Sequence, residues 1–316
     1  MNTPFLLCVS LNPAVDRRIR LPRFELGTVN RATYADPAAG GKAAHVAFAA
    51  RALGTEVRWL GLLGGPEGES CRAGIAERGV IPISVGICNR TRTNVELIDE
   101  ASGSVTEVLE PGPLISEDEA ANFLAEFERQ LAERPLVVAS GSLPAGLPPS
   151  FYATLVSRAQ SAGCRIFVDT SGEGLVHALA AIPALIKPNR HEAEALLARK
   201  IETIPESVVA ANELRLRGAE TVTVSLGGRG AVVVTANQAM YAKAPQRKVL
   251  STVGSGDSFL AGWAVGSMRG LDSAECLRLA IACGTANCLA DSPGVISSDD
   301  VDRLAREVEI REWPLG

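Results

Sequence analysis

The segment Ser251-Thr-Val-Gly-Ser-Gly-Asp-Ser258 sets an aspartate behind a cluster of small residues, immediately before the helical run FLAGWAVGSMRG. Small residues at Gly254, Ser255 and Gly256 let backbone N–H groups converge at a helix N-terminus, where unpaired donors and the helix dipole favour an anion. A carboxylate beside a static phosphate would only be repelled. It has a use if Asp257 accepts a proton from a hydroxyl that attacks phosphorus. The plainer alternative makes Asp257 a dipole-favoured first-turn residue and the glycines a turn.

Other segments invite similar pairs of readings. Gly40-Gly41-Lys42 opens the helix-like run AAHVAFAARALG, so it is either a close backbone approach to a phosphate with a lysine point charge or a loop with a solvated lysine. Asp16, after the first strand in Asn12-Pro-Ala-Val-Asp16, either accepts hydrogen bonds from adjacent sugar hydroxyls or begins a turn. In Lys187-Pro-Asn-Arg-His-Glu192, Asn189 and Glu192 share one face of a first helical turn; they could organise a hydrated Mg²⁺ or cap the helix reciprocally. Ser225-Leu-Gly-Gly-Arg-Gly230 reads as a hairpin or as a glycine turn admitting nucleotide phosphates. Arg92 in Thr91-Arg-Thr-Asn94 is a bidentate anion ligand or part of a solvated strand face.

These segments need a scaffold. Apolar runs at residues 5–11, 57–63, 136–140, 164–169, 184–188 and 221–227 alternate with amphipathic stretches at 42–53, 116–131, 150–162 and 206–216. That alternation predicts βαβ units on a largely parallel sheet flanked by helices. Residues 16–23, 31–37 and 83–109 are strand-like without a following helix. They predict a small antiparallel β lid, inserted at about 16–37 and 83–109 into one domain spanning 1–316. Its exposed edges favour a homodimer through the lid. Three successive helices are expected between Gly256 and Arg306.

Composition narrows the function classes. A net charge of -5 and 4% aromatic residues argue against nucleic-acid partners. The N-terminal MNTPFLLCVSLNP has no basic leader, and no run reaches the roughly 18 apolar residues of a membrane span. Seven dispersed cysteines without a C-x-x-C pair fit a reducing cytoplasm rather than disulfides or zinc. Three histidines give no metal triad, and neither G-x-S-x-G nor a Walker A lysine motif is present. A dehydrogenase would need G-x-G-x-x-G after the first strand, which is missing.

In order along the chain, NPAVD, AAGGK, TRTN, SGSLPAGLP, VDTSG, IKPNRHE, VSLGGRGA and STVGSGDS resemble the PfkB family of sugar kinases in the ribokinase superfamily, closest to its phosphosugar branch of phosphofructokinases and tagatose-6-phosphate kinases. The resemblance implies a ribokinase-like α/β fold and phosphorylation of a ketohexose phosphate by ATP with Mg²⁺. It implies Asp257 as base, with the amides of Gly254, Ser255 and Gly256 as anion hole. Asp16, Gly40 and Gly41 become sugar-binding positions, and Lys42, Arg92 and Ser140 contacts to the sugar's phosphate or neighbouring hydroxyls. Lys187, Asn189, Ser225, Gly227, Gly230 and Asn287 become nucleotide-site positions, and Asn189 with Glu192 the magnesium motif.

One departure stands out. Where phosphosugar members read GGKGxNVA, this chain reads GGKAAHVA, with Ala43 for glycine and His45 for an asparagine expected to touch the sugar. A neutral imidazole there offers one donor and one acceptor. The remaining alternatives are a kinase of a neutral sugar or nucleoside, with no partner for Lys42 and Arg92, and a non-catalytic sugar-phosphate sensor, with no need of Asp257.

Overall fold

Strands buried on both faces must be apolar throughout, and the apolar runs identified above are the strands of the central sheet. The computed structural model describes residues 5–314; residues 1–4, part of the N-terminal segment read for a leader, and 315–316 lie outside the described residues. The chain begins with β1 (Leu6–Ser10), β2 (Ala14–Leu21), β3 (Tyr34–Gly40), α1 (Lys42–Ala52), β4 (Val57–Leu63), α2 (Gly65–Glu77) and β5 (Ile81–Gly86). It continues through β6 (Arg92–Asp99), β7 (Val105–Leu109), α3 (Glu117–Leu131), β8 (Leu136–Ser140), α4 (Phe151–Ser161), β9 (Ile166–Asp169), α5 (Gly172–Ala180) and β10 (Leu185–Ile186). Then follow α6 (Arg190–Leu197), α7 (Ile204–Leu216), β11 (Val222–Ser225), β12 (Ala231–Val234), β13 (Ala239–Lys243), α8 (Ser255–Met268), α9 (Ser273–Asn287), α10 (Ser298–Ala305) and β14 (Glu309–Trp313).

The large sheet has the order β14-β13-β12-β11-β10-β9-β8-β1-β4-β5 and is parallel from β11 to β5. β12, β13 and β14 extend it by antiparallel pairing. Side chains alternate between two cores: Leu6 and Cys8 pack with residues of α1, α8 and α9, Leu7 and Val9 with those of α3, α4 and α7. Strand order reverses at β1, because the chain runs outward through β4 and β5 on one side and through β8 to β11 on the other. Ligands of open α/β sheets bind beyond strand C-termini at such a reversal.

A second, four-stranded sheet has the order β3-β2-β6-β7. Its antiparallel pairs, β2 with β3 and β6 with β7, meet along a parallel β2–β6 pairing. The expected insertion at 83–109 needs a correction: residues 81–86 form β5 and pair with β4 in the large sheet, so the small sheet's second segment begins at Arg92. β5 is the edge strand, half-exposed along its length, and an exposed edge shows the same polar alternation as an inserted strand. The helix before it, α2, carries few apolar residues and gave no periodic signal. The three C-terminal helices lie where the sequence sets them, whereas β14 was not foreseen.

Candidate active site

The α8 N-terminus is built by Gly254, whose left-handed backbone (φ 78°, ψ -3°) turns the chain into the helix. A Cβ there would lie 2.7 Å from the Pro293 side chain, so glycine is required twice over. The Ser255 N–H donates to Thr252 O at 3.2 Å. Among the described residues, the N–H groups of Gly254, Gly256 and Asp257 have no protein acceptor, so of the three amides expected above only that of Ser255 is engaged elsewhere, and the Asp257 amide joins the available donors. The Lys187 ammonium reaches the same turn: a Cβ on Gly256 would lie 3.2 Å from its Nζ. Asp257, only 6% exposed, sits beside this seat.

Asp169 ends β9 and is fully buried among cations, with Lys187 Nζ at 3.4 Å and Lys42 Nζ at 3.8 Å. The Ser140 hydroxyl donates to its Oδ2 at 3.4 Å. Burial alone would push its carboxyl up, but the lysine charges and these contacts outweigh that and hold it below the usual carboxylate range. Lys42 is driven above the ordinary lysine range, chiefly by the Asp169 charge. Its pairing is loose and its side chain 41% exposed, which leaves the ammonium free to reorient toward an incoming phosphate.

His45, in the first turns of α1, lies between two carboxylates. Its Nδ1 is 3.0 Å from Asp257 Oδ2 and its Nε2 is 3.4 Å from Asp16 Oδ2. Asp16 also accepts from Asn94 Nδ2 (2.8 Å) and the Gly41 N–H (3.3 Å). Burial would lower the imidazole's pKa, but hydrogen bonds to Asp16 and Asp257 and their charges raise it to about 10. The raised pKa favours the charged ring over the neutral one considered from sequence, and both nitrogens face a carboxylate oxygen. Asp16 is held below its usual range, its burial outweighed by His45, Asn94 and Gly41.

These groups share a cleft of about 760 Å³ between the large sheet's C-terminal edge and the small sheet. Residues 9–300 match the pfkB family of carbohydrate kinases. The chain belongs to that family. It is 36% identical to a 1-phosphofructokinase of Xanthomonas campestris, over 98% of both chains. It is 34% identical to a tagatose-6-phosphate kinase of Staphylococcus epidermidis, over 97% of this chain and 99% of the other. The crystal structure of phosphofructokinase-2 from Escherichia coli in complex with potassium superposes with a TM-score of 0.90 at 31% identity, covering 97% of this chain and 99% of that one.

In this pfkB kinase, Asp16, Gly41, Lys42, His45, Arg92, Lys187, Asn189, Glu192, Ser225, Gly227, Gly254, Ser255, Gly256 and Asp257 all line the cleft. Gly40, Ser140, Gly230 and Asn287 stand behind its wall. A Cβ on Gly40 would lie 2.0 Å from the Asp16 carboxylate, and one on Gly230 (φ 100°) 1.9 Å from Ala242 O, so both glycines serve close packing. Ser140 acts on Asp169. The buried Asn287 amide accepts from Ser258 Oγ and the Gly294 N–H and donates to Val253 O, tying the anion turn to the loop after α9. Asp169, Asn94 and the cleft carboxylates Glu96 and Glu107 were not selected from the sequence. The strand end IFVD followed by TSG was a usable sign for Asp169, while the others depend on pairing across the small sheet.

Kinases of this family use ATP, generally with Mg²⁺. The donor set fits a hydrated Mg²⁺ held through Glu192, with Asn189 capping the same turn. Asn189 Oδ1 accepts from the Glu192 N–H (2.9 Å) and Glu192 Oε2 accepts from the Asn189 N–H (2.8 Å), a reciprocal cap. Glu192 Oε1 has no protein donor among the described residues, and one carboxylate plus waters and phosphates is ordinary Mg²⁺ coordination. Gly256→Ala tests the anion seat: the new Cβ crowds Lys187 Nζ at 3.2 Å. Folding stability should hold or rise by about 0.4–1 kcal/mol. Turnover should fall roughly 10- to 150-fold as the ammonium is displaced from the phosphate, the scale of one charged hydrogen bond. Parallel melting and rate measurements check it, and unchanged kcat removes Lys187 from the seat.

Proposed function

We propose that this kinase transfers the ATP γ-phosphoryl group to a hydroxyl of a ketohexose phosphate, giving the bisphosphate, with fructose 6-phosphate, fructose 1-phosphate and tagatose 6-phosphate as the candidate acceptors. The observation that carries the phosphosugar reading is Arg92. Its guanidinium donates to two carbonyls, Glu110 O and Asn12 O (both 3.0 Å), its buried Nε has no partner, and among the described residues no carboxylate pairs with it. Burial holds its pKa below the usual arginine value. A half-buried cation without a direct ion-pair partner on the wall of a substrate cleft is suited to a phosphate. The names of the relatives point the same way.

Asp257 takes the proton of the attacking hydroxyl. The Gly256 and Asp257 amides, with Lys187 and Lys42, hold the transferring phosphoryl group, so preorganised charge supplies most of the rate. Mg²⁺, when bound at Glu192, supplies charge neutralisation between the phosphates. The small sheet acts as a lid that excludes water. Its exposed Tyr34, Val105 and Val108 favour a homodimer through that sheet. Seven free cysteines and a metabolite substrate fit the cytoplasm.

An ADP-release assay with Mg-ATP against the three phosphoketoses, fructose and ribose tests the reading. Turnover on one phosphoketose is expected. Arg92→Ala should raise its KM by about 10- to 150-fold, the scale of a hydrogen bond to a charged group. Turnover only on a free sugar, or ligand binding without ADP release, would replace this reading by the neutral-sugar kinase or the sensor.

A further inference from the structure

Among the titratable cleft groups that the proposed chemistry does not use, His45 is the one at which this chain departs from the family pattern. His45 is 93% buried and within hydrogen-bond or ion-pair reach of both carboxylates that handle the acceptor. We propose that His45 is a positioning residue: a doubly donating imidazolium that locks the Asp257 base to the sugar-binding Asp16, so that base and acceptor pocket move as one unit. The inference rests on the kinase reading for the roles of the two aspartates.

The geometry favours the charged ring. A neutral imidazole carries one N–H and one lone pair. Placed between two carboxylates it would aim that lone pair at an oxygen, a repulsion in a buried site, whereas an imidazolium satisfies both. The facing charges agree. The carboxyl groups of Asp16 on β2 and Asp257 on α8 flank the ring and Glu107 on β7 lies nearby, while the cations Lys42 and Arg92 are directed at Asp169 and at carbonyl oxygens. The turn of α1 bearing His45 has no room to shift, because a Cβ on Gly294 would already lie 2.7 Å from His45 O.

The lock has a function that the amide of the family pattern cannot duplicate. A side-chain amide donates from a single uncharged nitrogen, so it can reach the two carboxylates only from one point and cannot neutralise them. The ring reaches them from two separate nitrogens and, when protonated, brings a positive charge between them. With His45, Oδ2 of Asp257 is engaged and its orientation fixed before the acceptor arrives, the condition for efficient proton transfer. The bridge also has a pH signature. A raised folded pKa means that the stabilisation is fully present below the unfolded value of about 6.5 and is lost as pH rises through the folded one, which is about 10.

Imidazole ¹⁵N spectra of the whole chain test this without using turnover. His45 is identified by the signal missing from His45→Asn, and His177 and His191 serve as internal references. Both His45 nitrogens should stay protonated from pH 6 to pH 9, and Asp16→Asn or Asp257→Asn should bring the titration down toward the ordinary midpoint. A wild-type His45 that titrates near 6.5, or one indifferent to both substitutions, overturns the proposal even if the kinase reading stands. If the enzyme turns over, His45→Ala should lower kcat roughly 10- to 100-fold, within the range of a misplaced catalytic group, with little change in the KM for ATP. It should also move the acid limb of the rate profile upward, since two buried carboxylates then face each other without a cation. A loss with an unmoved limb, tracking only reduced melting temperature, assigns His45 to structure alone.

Discussion

Asp257→Asn lowers kcat by about 10²- to 10⁴-fold and leaves ATP and sugar binding close to wild type, the scale of losing one general base. The substitution is nearly isosteric in a position only 6% exposed, so packing around α8 is kept. The asparagine carbonyl still accepts from His45 Nδ1, where the carboxylate Oδ2 does so at 3.0 Å, and the backbone N–H stays in the anion seat. What is lost is the capacity to take the hydroxyl proton and the negative charge opposite it. Binding by calorimetry beside steady-state rates separates these terms. Near-normal kcat would remove Asp257 from the chemistry and leave it as the first-turn helix residue that its spacing also allowed. A collapse of binding together with rate would mean that the carboxylate mainly organises the cleft.

The parts of the molecule legible in the sequence are those whose signals are local. The β1, β4, β8, β9 and β11 runs are apolar because both of their faces are covered, and α8 announces itself by glycines that only its N-terminal turn requires. Gly41 capping α1 and the hairpin between β11 and β12 were equally local. The parts that were misread are set by tertiary position. β5 resembles an inserted strand because it is an edge, and α2 and β14 are stabilised by what they pack on rather than by their own periodicity.

The site divides in the same way. Most residues projecting from a glycine-marked strand end or helix start were found, while Asp169 at the end of β9 and the cross-sheet partners Asn94, Glu96 and Glu107 were not. His45 was read by its residue type alone, whereas its pKa is raised by Asp16 and by Asp257, the latter 212 positions away in sequence and 3.0 Å away in space. Asp169 shows the same gap from the opposite side, since nothing near it in sequence declares that Lys42 and Lys187 converge on it. Asn189 and Glu192 illustrate the converse: both candidate readings required the same spacing, and the observed reciprocal hydrogen bonds show the cap while leaving Glu192 Oε1 open to a hydrated ion.

Asp169→Ala should therefore be the most damaging change to the scaffold of the site. Removing one partner of a buried ion pair leaves the other charge uncompensated, at about 3–5 kcal/mol. Most of that falls on Lys187, which is 5% exposed, and less on Lys42, whose half-exposed ammonium can turn to water. For a chain of this length the loss corresponds to a melting temperature lower by roughly 5–8 °C. Asp169→Asn keeps the shape and removes the charge, so it isolates the electrostatic part. Because the Asp169 pKa is depressed in the folded protein, its stabilisation is present above the unfolded value of about 3.9 and is lost as pH falls through the lower folded value. The melting-temperature gap between wild type and Asp169→Asn should be full at neutral pH and close in strong acid. A gap independent of pH would mean that Asp169 acts through packing, and the two lysines would then need another reason to stand beside the phosphate seat. If the gap closes as expected while kcat in the asparagine variant falls with unchanged acceptor KM, Asp169 is the anchor that aims Lys187 and Lys42 at the transferring group.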